Sequence, residues 1–279
     1  MLNDIIIKAI NYILENLAED LTVEQIAEHC HFSKYYFNRL FKSVVGESVY
    51  AFIKRLRIEK SALQIIVEHN KTITEIGNRF GYSSSNFSTA FKQRYGKSPL
   101  EFKRNRQSNA IRHNKNYYVD LSKVSYDYYN EKVKLVNLKD QQVIFQRFIG
   151  DYHNLGYYWS RFCEKHQTYI ENTSVYYEIS YDDPILTDPE RCFTDLAIST
   201  TKPIAKDCLT TIIEGGKYVS YTYTGPNTNI FETFQGLLGI WLPDSVYLPD
   251  LKNRKVVAKY IIADVKNNFF SMDIYIPVV

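Results

Sequence analysis

The sequence lacks the features of membrane and secreted proteins. No apolar run approaches the roughly 18 residues that a membrane-spanning helix needs, so we expect no membrane partner. The opening stretch, MLNDIIIKAINYILENL, has neither the basic start nor the small-residue cleavage site of a signal peptide, and its apolar residues recur at helical spacing. We therefore expect a cytoplasmic protein.

Cysteine is also scarce. The sequence has no Cys-x-x-Cys pair and no histidine at metal-ligand spacing, and its four cysteines are scattered over Cys30, Cys163, Cys192 and Cys208. This distribution indicates neither a disulfide framework nor a zinc site. We expect four reduced thiols, no metal and no cofactor.

The composition is that of a soluble protein with two domains. The 279 residues are 45% hydrophobic and 23% charged, which suffices for two ordinary cores. The net charge of +3 is uneven: residues 1–112 carry 17 Lys and Arg against 11 Asp and Glu, and the remainder carries 17 against 20. This asymmetry indicates one module that binds a polyanion and one with another role.

The first hundred residues contain a repeat with a period of fifty. The two copies read LTVEQIAEHCHFSKYYFNRLFKSVVGES and KTITEIGNRFGYSSSNFSTAFKQRYGKS. Eight positions recur, namely Ile26, Phe32, Ser33, Phe37, Phe41, Lys42, Gly46 and Ser48 as Ile76, Tyr82, Ser83, Phe87, Phe91, Lys92, Gly96 and Ser98. Duplicated spacing of this kind predicts two copies of one supersecondary unit.

Each copy is predicted to fold as helix, tight turn, helix. Thr22 and Thr72 stand where an N-cap would, each followed three residues later by Gln or Glu, as in a capping box. After a turn near His31 or Gly81, a serine can cap the second helix, whose two Phe residues face inward at i, i+4 spacing. The outward faces present residue types that contact bases and phosphates: Lys34, Tyr35, Asn38, Arg39 and Lys42, and Ser84, Ser85, Asn86, Thr89 and Lys92.

The segment between the copies, SVYAFIKRLRIEKSALQIIVEH, has no Gly or Pro and predicts one long connecting helix. Two helix-turn-helix units held apart by such a helix can read successive major-groove faces about 34 Å apart. Any one of these basic residues could equally be solvated surface. The duplicated spacing is what favours a DNA-binding role.

Residues 5–106 resemble the DNA-binding domain of the AraC/XylS family. The resemblance is carried by IAEHCHFSKYYFNRLFKSVVGES, RLRIEKSALQII and IGNRFGYSSSNFSTAFKQRYGKSPLEFKR. It implies that Arg39 reaches a base edge with Tyr35 and Asn38 beside it. The family usually has Arg where Thr89 stands, so the resemblance implies more phosphate contact than base readout for the second unit.

The second half of the chain predicts an α+β domain. Eight β-rich runs are interrupted by two helical stretches, LGYYWSRFCEKHQ and IFETFQGLLGIWL. RFIGDYHNLGYYWSRF resembles YTYTGPNTNIFETFQG seventy-five residues later, which predicts two β-α-β-β halves around a cleft.

We expect aromatic residues to line this cleft and to bind a small aromatic, amphipathic or cationic effector by stacking and cation–π attraction. Single tyrosines could instead fill the core or point outward from strands. The candidate effector-binding residues are Tyr152, Trp159, Tyr177, Glu178, Tyr181, Tyr221, Tyr223, Trp241, Tyr260 and Asp273.

This region is similar to the gyrase-inhibitor-like (GyrI-like) effector-binding domain. The matching strings are RFIGDY, YEISYDDPILTDPERCFTDLAIS, GGKYVSYTYTGP, WLPDS and DIYIPV. The resemblance implies a duplicated fold that binds varied ligands, often lipophilic cations. Members commonly carry a Glu where Ala258 stands here, so Glu178 or Asp273 is left as the candidate acid.

We therefore predict three segments: a DNA-binding domain over 1–108, a linker over 109–125 and an effector-binding domain over 126–279. The predicted function is sequence-specific transcriptional regulation, with double-stranded DNA, a small-molecule effector and RNA polymerase as candidate partners. We predict no catalytic residues and no enzymatic activity. Two alternatives stay open, because the second domain could be a hydrolase or a protein-interaction module.

Overall fold

The computed structural model describes residues 4–105, 124–252 and 254–279. The chain divides into two compact units, residues 1–111 and 112–279. The predicted linker, 109–125, lies outside the described residues except for its last two positions, so the predicted domain limits stay predictions. No helix in the described ranges is long and apolar enough to span a membrane.

The first unit is all-helical and contains the predicted repeat. Its described helices are α1 (Asp4–Glu15), α2 (Val23–His29), α3 (Lys34–Val45), α4 (Val49–Val67), α5 (Ile73–Arg79), α6 (Ser84–Tyr95) and α7 (Pro99–Arg104). Helices α2 and α3 form the first helix-turn-helix unit, α5 and α6 form the second, and α4 is the predicted connecting helix. The double helix-turn-helix prediction is confirmed.

Local sequence explains where these helices begin. Thr22 and Thr72 each form a complete capping box with the residue three positions on. Ser83 accepts the Asn86 N–H at the start of α6, whereas Ser33 stands at the N-cap of α3 but its hydroxyl accepts no helix N–H. The prediction that both serines cap is therefore correct only for Ser83.

Aromatic packing holds each unit against the helix that follows it. Phe37 and Phe41 of α3 are fully buried, and Phe41 packs edge-on against Phe52 of α4. In the second helix-turn-helix unit, Phe91 makes the equivalent contact with Phe102 of α7. Because burial of a Phe side chain stabilises a fold by roughly 1.5–3 kcal/mol, these five rings supply much of what fixes α3 and α6.

The second compact unit contains helices and an antiparallel sheet, and the predicted α+β class is confirmed. Its described helices are α8 (Tyr126–Asn130), α9 (Leu155–His166), α10 (Ile230–Gly236) and α11 (Leu242–Asp244), with one π-helical turn, Leu237–Trp241, between the last two. Its strands are β1 (Lys134–Leu138), β2 (Gln141–Ile149), β3 (Tyr176–Ser180), β4 (Phe193–Ile198), β5 (Thr210–Ile213), β6 (Gly216–Gly225), β7 (Val256–Asp264) and β8 (Phe269–Pro277).

The strand order shows the duplication. The described strands form one sheet in the order β1-β6-β8-β7-β3-β4-β2-β5. The halves β2-α9-β3-β4 and β6-α10-β7-β8 meet at the central β3–β7 pair. Strand β1 precedes the first half in sequence but pairs with β6 at the outer edge of the second half. Strand β5 precedes the second half but pairs with β2 at the outer edge of the first half. The two halves are therefore interlocked and form one domain.

Candidate DNA-binding surface and effector site

The outward faces of α3 and α6 form the candidate DNA-binding surface. Each helix buries only its two Phe side chains. Of the ten residues proposed from the sequence, nine are exposed and Asn38 is half-buried. The structure thus brings five candidates together on α3 and five on α6. Their contact with DNA stays a prediction.

The candidates on α3 differ in how freely they can meet a partner. The Arg39 guanidinium lies 5.9 Å from the Tyr35 ring centre, a cation–π geometry that orders both side chains on the exposed face. Lys34 forms an ion pair with Glu24 of α2. Asn38 Oδ1 accepts the Val49 N–H at 3.3 Å and so helps begin α4. Arg39 is therefore the candidate best placed for base contact, and Asn38 has a structural role as well.

The candidates on α6 are less basic. Thr89, which stands at the position of Arg39, donates its hydroxyl to the Ser85 carbonyl within the helix at 3.0 Å. Lys92 is exposed at the last turn. Small hydroxyl groups and one lysine suit phosphate contact better than bidentate base recognition.

The candidate effector site centres on Glu178 of β3. Its side chain is buried, and the Tyr260 hydroxyl of β7 donates a hydrogen bond to Glu178 Oε2 at 2.9 Å. Burial raises the pKa of this carboxyl to about 7, because desolvation disfavours the charged form more than the tyrosine hydrogen bond favours it.

Aromatic rings surround this carboxyl. The Trp159 ring of α9 packs edge-on against Tyr260 at 5.5 Å and against Tyr176 at 5.8 Å. All three residues are half-buried, so each retains some exposed surface. Three rings and one acid can offer stacking surface and a counter-charge to a flat or cationic organic molecule.

The sheet places other predicted residues away from Glu178. Side chains alternate between faces along a strand, so Tyr177 points to the opposite face from Glu178. Tyr181 lies on that opposite face too. Its hydroxyl is hydrogen-bonded to both members of the buried Arg147–Asp195 ion pair, at 2.8 Å in each case. Asp273 accepts hydrogen bonds from Thr222 and Tyr275. These three residues do not join the Glu178 cluster.

The remaining predicted residues also have other partners. Tyr221 packs against Tyr129 of α8, and the Trp241 indole donates to Asn130 at 3.1 Å. The hydroxyl of Tyr223 donates to the Pro226 carbonyl, and that of Tyr152 to the Phe193 carbonyl. Of the ten candidates, Trp159, Glu178 and Tyr260 form the cluster at the buried carboxyl.

Sequence reasoning overlooked two buried groups. Tyr129 is 1% exposed in the core of the second half, although it belongs to a short polar stretch that gives no periodic signal. Arg147 and Asp195 form a fully buried ion pair, with Nε–Oδ1 and Nη2–Oδ2 distances of 2.7 Å. Along their strands, Arg147 and Asp195 stand at positions that alternation assigns to the same face as buried apolar residues. That placement is the sequence signal that could have indicated a buried pair.

One surface pocket of about 540 Å³ lies beside the first half, where β2 ends. It is lined by Ile149, Gly150, Asp151, Asn154, Tyr158, Pro189 and Glu190. None of the ten effector candidates lines it. In the described ranges, no three His, Cys, Asp or Glu side chains come close enough together to hold a metal ion.

The fold defines a protein with a duplicated helix-turn-helix domain followed by a duplicated α+β domain. The family described as a helix-turn-helix domain matches residues 26–105, and the family described as a GyrI-like small molecule binding domain matches residues 131–279. This chain belongs to the family of proteins with a GyrI-like small molecule binding domain. Both the AraC-type and the GyrI-like resemblances are confirmed.

Several curated proteins are similar to parts of this chain or to most of it. Regulatory protein PocR of Salmonella typhimurium is 33% identical over 104 residues, which are 37% of this chain and 34% of PocR. The bifunctional transcriptional activator/DNA repair enzyme AdaA of Bacillus subtilis is 33% identical over 93 residues, 33% of this chain and 44% of AdaA. The right origin-binding protein of Escherichia coli is 24% identical over 243 residues, 82% of this chain and 81% of that protein. The matches to PocR and AdaA thus span less than half of those proteins.

Proposed function

We propose that this protein is a transcriptional regulator that binds duplex DNA through α3 and α6 and binds a small organic effector at Glu178. The observation that carries the proposal is the pair of matched helices, each buried by two Phe side chains and exposed along a polar face. Polar faces on two such helices suit two neighbouring segments of the major groove. RNA polymerase is the expected second macromolecular partner, because a regulator acts by recruiting or blocking it.

We assign base recognition mainly to the first unit. Arg39 is exposed and oriented by Tyr35, and an arginine can donate two parallel hydrogen bonds to guanine. The hydroxyl-rich face of α6 and Lys92 would bind phosphates, which fixes register without reading sequence. Affinity should therefore depend on both units, and sequence preference mostly on α3.

The effector site is assigned to Glu178 because of its position in the sheet. Ala258, which stands where the family commonly has a Glu, is the register partner of Glu178 across the β3–β7 pair. Side chains of directly opposed residues lie about 5 Å apart. The carboxyl is therefore supplied by the neighbouring strand at nearly the same place, where it accepts the hydrogen bond from Tyr260. Asp273, on the opposite face, does not fill this role.

Ligand binding would regulate transcription only if it favours one DNA-binding state over another. A ligand with equal affinity for both states shifts no equilibrium, and the coupling must be reciprocal between effector and DNA. Addition of an effector should therefore change the DNA dissociation constant, and addition of DNA should change the effector constant by the same factor.

DNA recognition can be tested with the full-length chain and a duplex selected from a random library. Fluorescence anisotropy at several salt concentrations should give a falling log affinity with log salt, which reports phosphate contacts. Arg39→Ala should weaken binding to the selected duplex by roughly 1–3 kcal/mol and relax the preference at one position. Ser43→Ala, an exposed change on the same helix, is the matched control. If Arg39→Ala retains the full preference, Arg39 does not read bases.

Effector binding can be tested by thermal shift across a compound library. A ligand that binds the folded domain raises its stability by RT ln(1 + [L]/Kd), whereas a domain specialised for protein contacts shows no such series of shifts. Glu178→Gln should reduce the shift produced by cationic hits more than that produced by neutral ones. Consumption of a hit by the wild-type protein, lost in Glu178→Gln, would instead indicate hydrolysis.

A further inference from the structure

A chain of buried ion pairs crosses the DNA-binding domain. Glu47, between α3 and α4, contacts Arg55 of α4 at 2.7 and 2.9 Å. The same Arg55 contacts Glu59 one turn further along α4 at 2.8 Å. The second oxygen of Glu59 contacts Arg94 of α6 at 2.7 Å. The chain therefore runs from the end of the first recognition helix, along the connecting helix, to the second recognition helix.

The burial of this chain makes its geometry specific. The side chain of Glu59 is 3% exposed, that of Arg55 is 6% exposed and that of Arg94 is 18% exposed. Glu59 uses one carboxylate oxygen for each arginine, so a rotation of α6 would break the contact between Glu59 and Arg94. Buried charges that lose a partner are strongly disfavoured, and such groups can fix a single arrangement.

Arg94 departs from the repeat at this point. The equivalent position in the first copy, fifty residues earlier, is Val44, which is 37% exposed and apolar. A duplicated unit has no structural need for a charge here, because the first copy folds with valine. The arginine is therefore specific to the junction between the second unit and α4.

We propose that Glu59, held between Arg55 and Arg94, is a positioning residue that fixes the angle between α3 and α6. It would thereby set the spacing of DNA half-sites that the protein accepts. The inference rests on the proposed DNA-binding function for its consequence but not for its geometry. The second helix-turn-helix unit has other links to the connecting helix, such as the ion pair of Arg79 with Glu68. That pair attaches α5 rather than the recognition helix.

The geometric part can be tested without DNA. Spin labels are introduced as unnatural amino acids at Ser43 and Gln93, which are exposed and equivalent in the two copies. Distances between the labels are measured by pulsed electron resonance in the full-length protein. Arg94→Met should broaden or shift the distance distribution, because Glu59 keeps Arg55 while α6 loses its ionic contact. Val44→Met, the matched change in the first copy, should leave the distribution as in wild type.

The functional part uses the duplex selected by the wild-type protein and versions with one base pair inserted or removed between the half-sites. Each change rotates one half-site by about a tenth of a turn, and wild type should lose about tenfold or more in affinity. Arg94→Met should lose at most about threefold on the same duplexes, because its units can adjust. Arg94→Lys, which retains the charge, should restore most of the spacing preference.

The outcomes separate this inference from the proposed function. An unchanged distance distribution in folded Arg94→Met, checked by circular dichroism, overturns the inference. So does an undiminished spacing penalty. Failure of the wild-type chain to select any duplex would refute the DNA-binding proposal, and the label distances would still decide whether Glu59 fixes the two helices.

Discussion

The carboxyl of Glu178 should make the stability of the effector-binding domain depend on pH in a way that Glu178→Gln removes. Burial raises its folded pKa to about 7, from the 4.5 that is usual for a glutamate in water. Between these two values the folded state binds more protons than the unfolded state. The stabilising contribution of the protonated carboxyl is therefore fully present below pH 4.5 and is lost as the pH rises to 7.

The magnitude follows from the size of the shift. One pKa unit corresponds to about 1.4 kcal/mol, so the free energy of unfolding of wild type, relative to Glu178→Gln, should fall by about 3 kcal/mol between pH 4.5 and 7.5. His166 acts in the opposite direction. Burial lowers its pKa to about 4, so its contribution to stability rises with pH up to about 6.5. The free energy of unfolding of wild type alone would therefore show a flattened dependence on pH. The informative quantity is the difference in that free energy between wild type and Glu178→Gln.

The chain offers a reporter that is specific to this domain. The two tryptophans of the chain, Trp159 and Trp241, both belong to the second compact unit, residues 112–279. Urea unfolding followed by tryptophan fluorescence thus measures the effector-binding domain within the full-length protein. A difference between wild type and Glu178→Gln that stays constant from pH 4.5 to 7.5 would refute the buried, proton-binding carboxyl.

Two further predictions use the same assay. His166→Gln should turn the flattened wild-type profile into a fall of about 3 kcal/mol in the free energy of unfolding between pH 4.5 and 7.5, and a variant whose profile stays flat would contradict the assignment to His166. In Gly236→Ala the new Cβ would lie 1.9 Å from the Tyr129 hydroxyl, so the variant should lose about 1–3 kcal/mol and Tyr129→Phe should partly restore it. Gly156→Ala, in a helix with open space around the new methyl, should instead gain up to about 1 kcal/mol, and equal effects at the two glycines would disprove the steric explanation.

The periodic features of the sequence predicted most of the fold. Matched caps at Thr22 and Thr72, and matched Phe pairs fifty residues apart, were sufficient to place α2, α3, α5 and α6. Alternating apolar residues located all eight strands. The strand order could not be predicted, because the pairing of β1 with β6 and of β5 with β2 depends on long-range packing. Local sequence has no pattern that encodes such an exchange of edge strands.

The effector site was predicted less completely, for a different reason. Tyrosines were chosen by residue type, and type does not say which face a side chain occupies. Tyr177 and Glu178 are adjacent on one strand, so alternation alone excludes them from a single face. Tyr129 was overlooked because its helix is only five residues long. Glu178 could be identified as the carboxyl opposite Ala258 only from the register of the β3–β7 pair, which the folded sheet shows and the sequence does not.

The positions where repeated units diverge are the best guide to the specific tasks of this protein. Phe37 and Phe87 match because both units need the same core. Arg39 and Thr89 differ, as do Val44 and Arg94, and neither difference is needed for folding, since each copy folds with the alternative residue. In the second domain Trp159 stands seventy-five residues before Phe234, and the tryptophan packs against Tyr260, whose hydroxyl contacts the buried Glu178. Duplication thus explains the scaffold, and the departures from it are the residues to which we assign, as proposals, DNA recognition, alignment of the two helix-turn-helix units and effector contact.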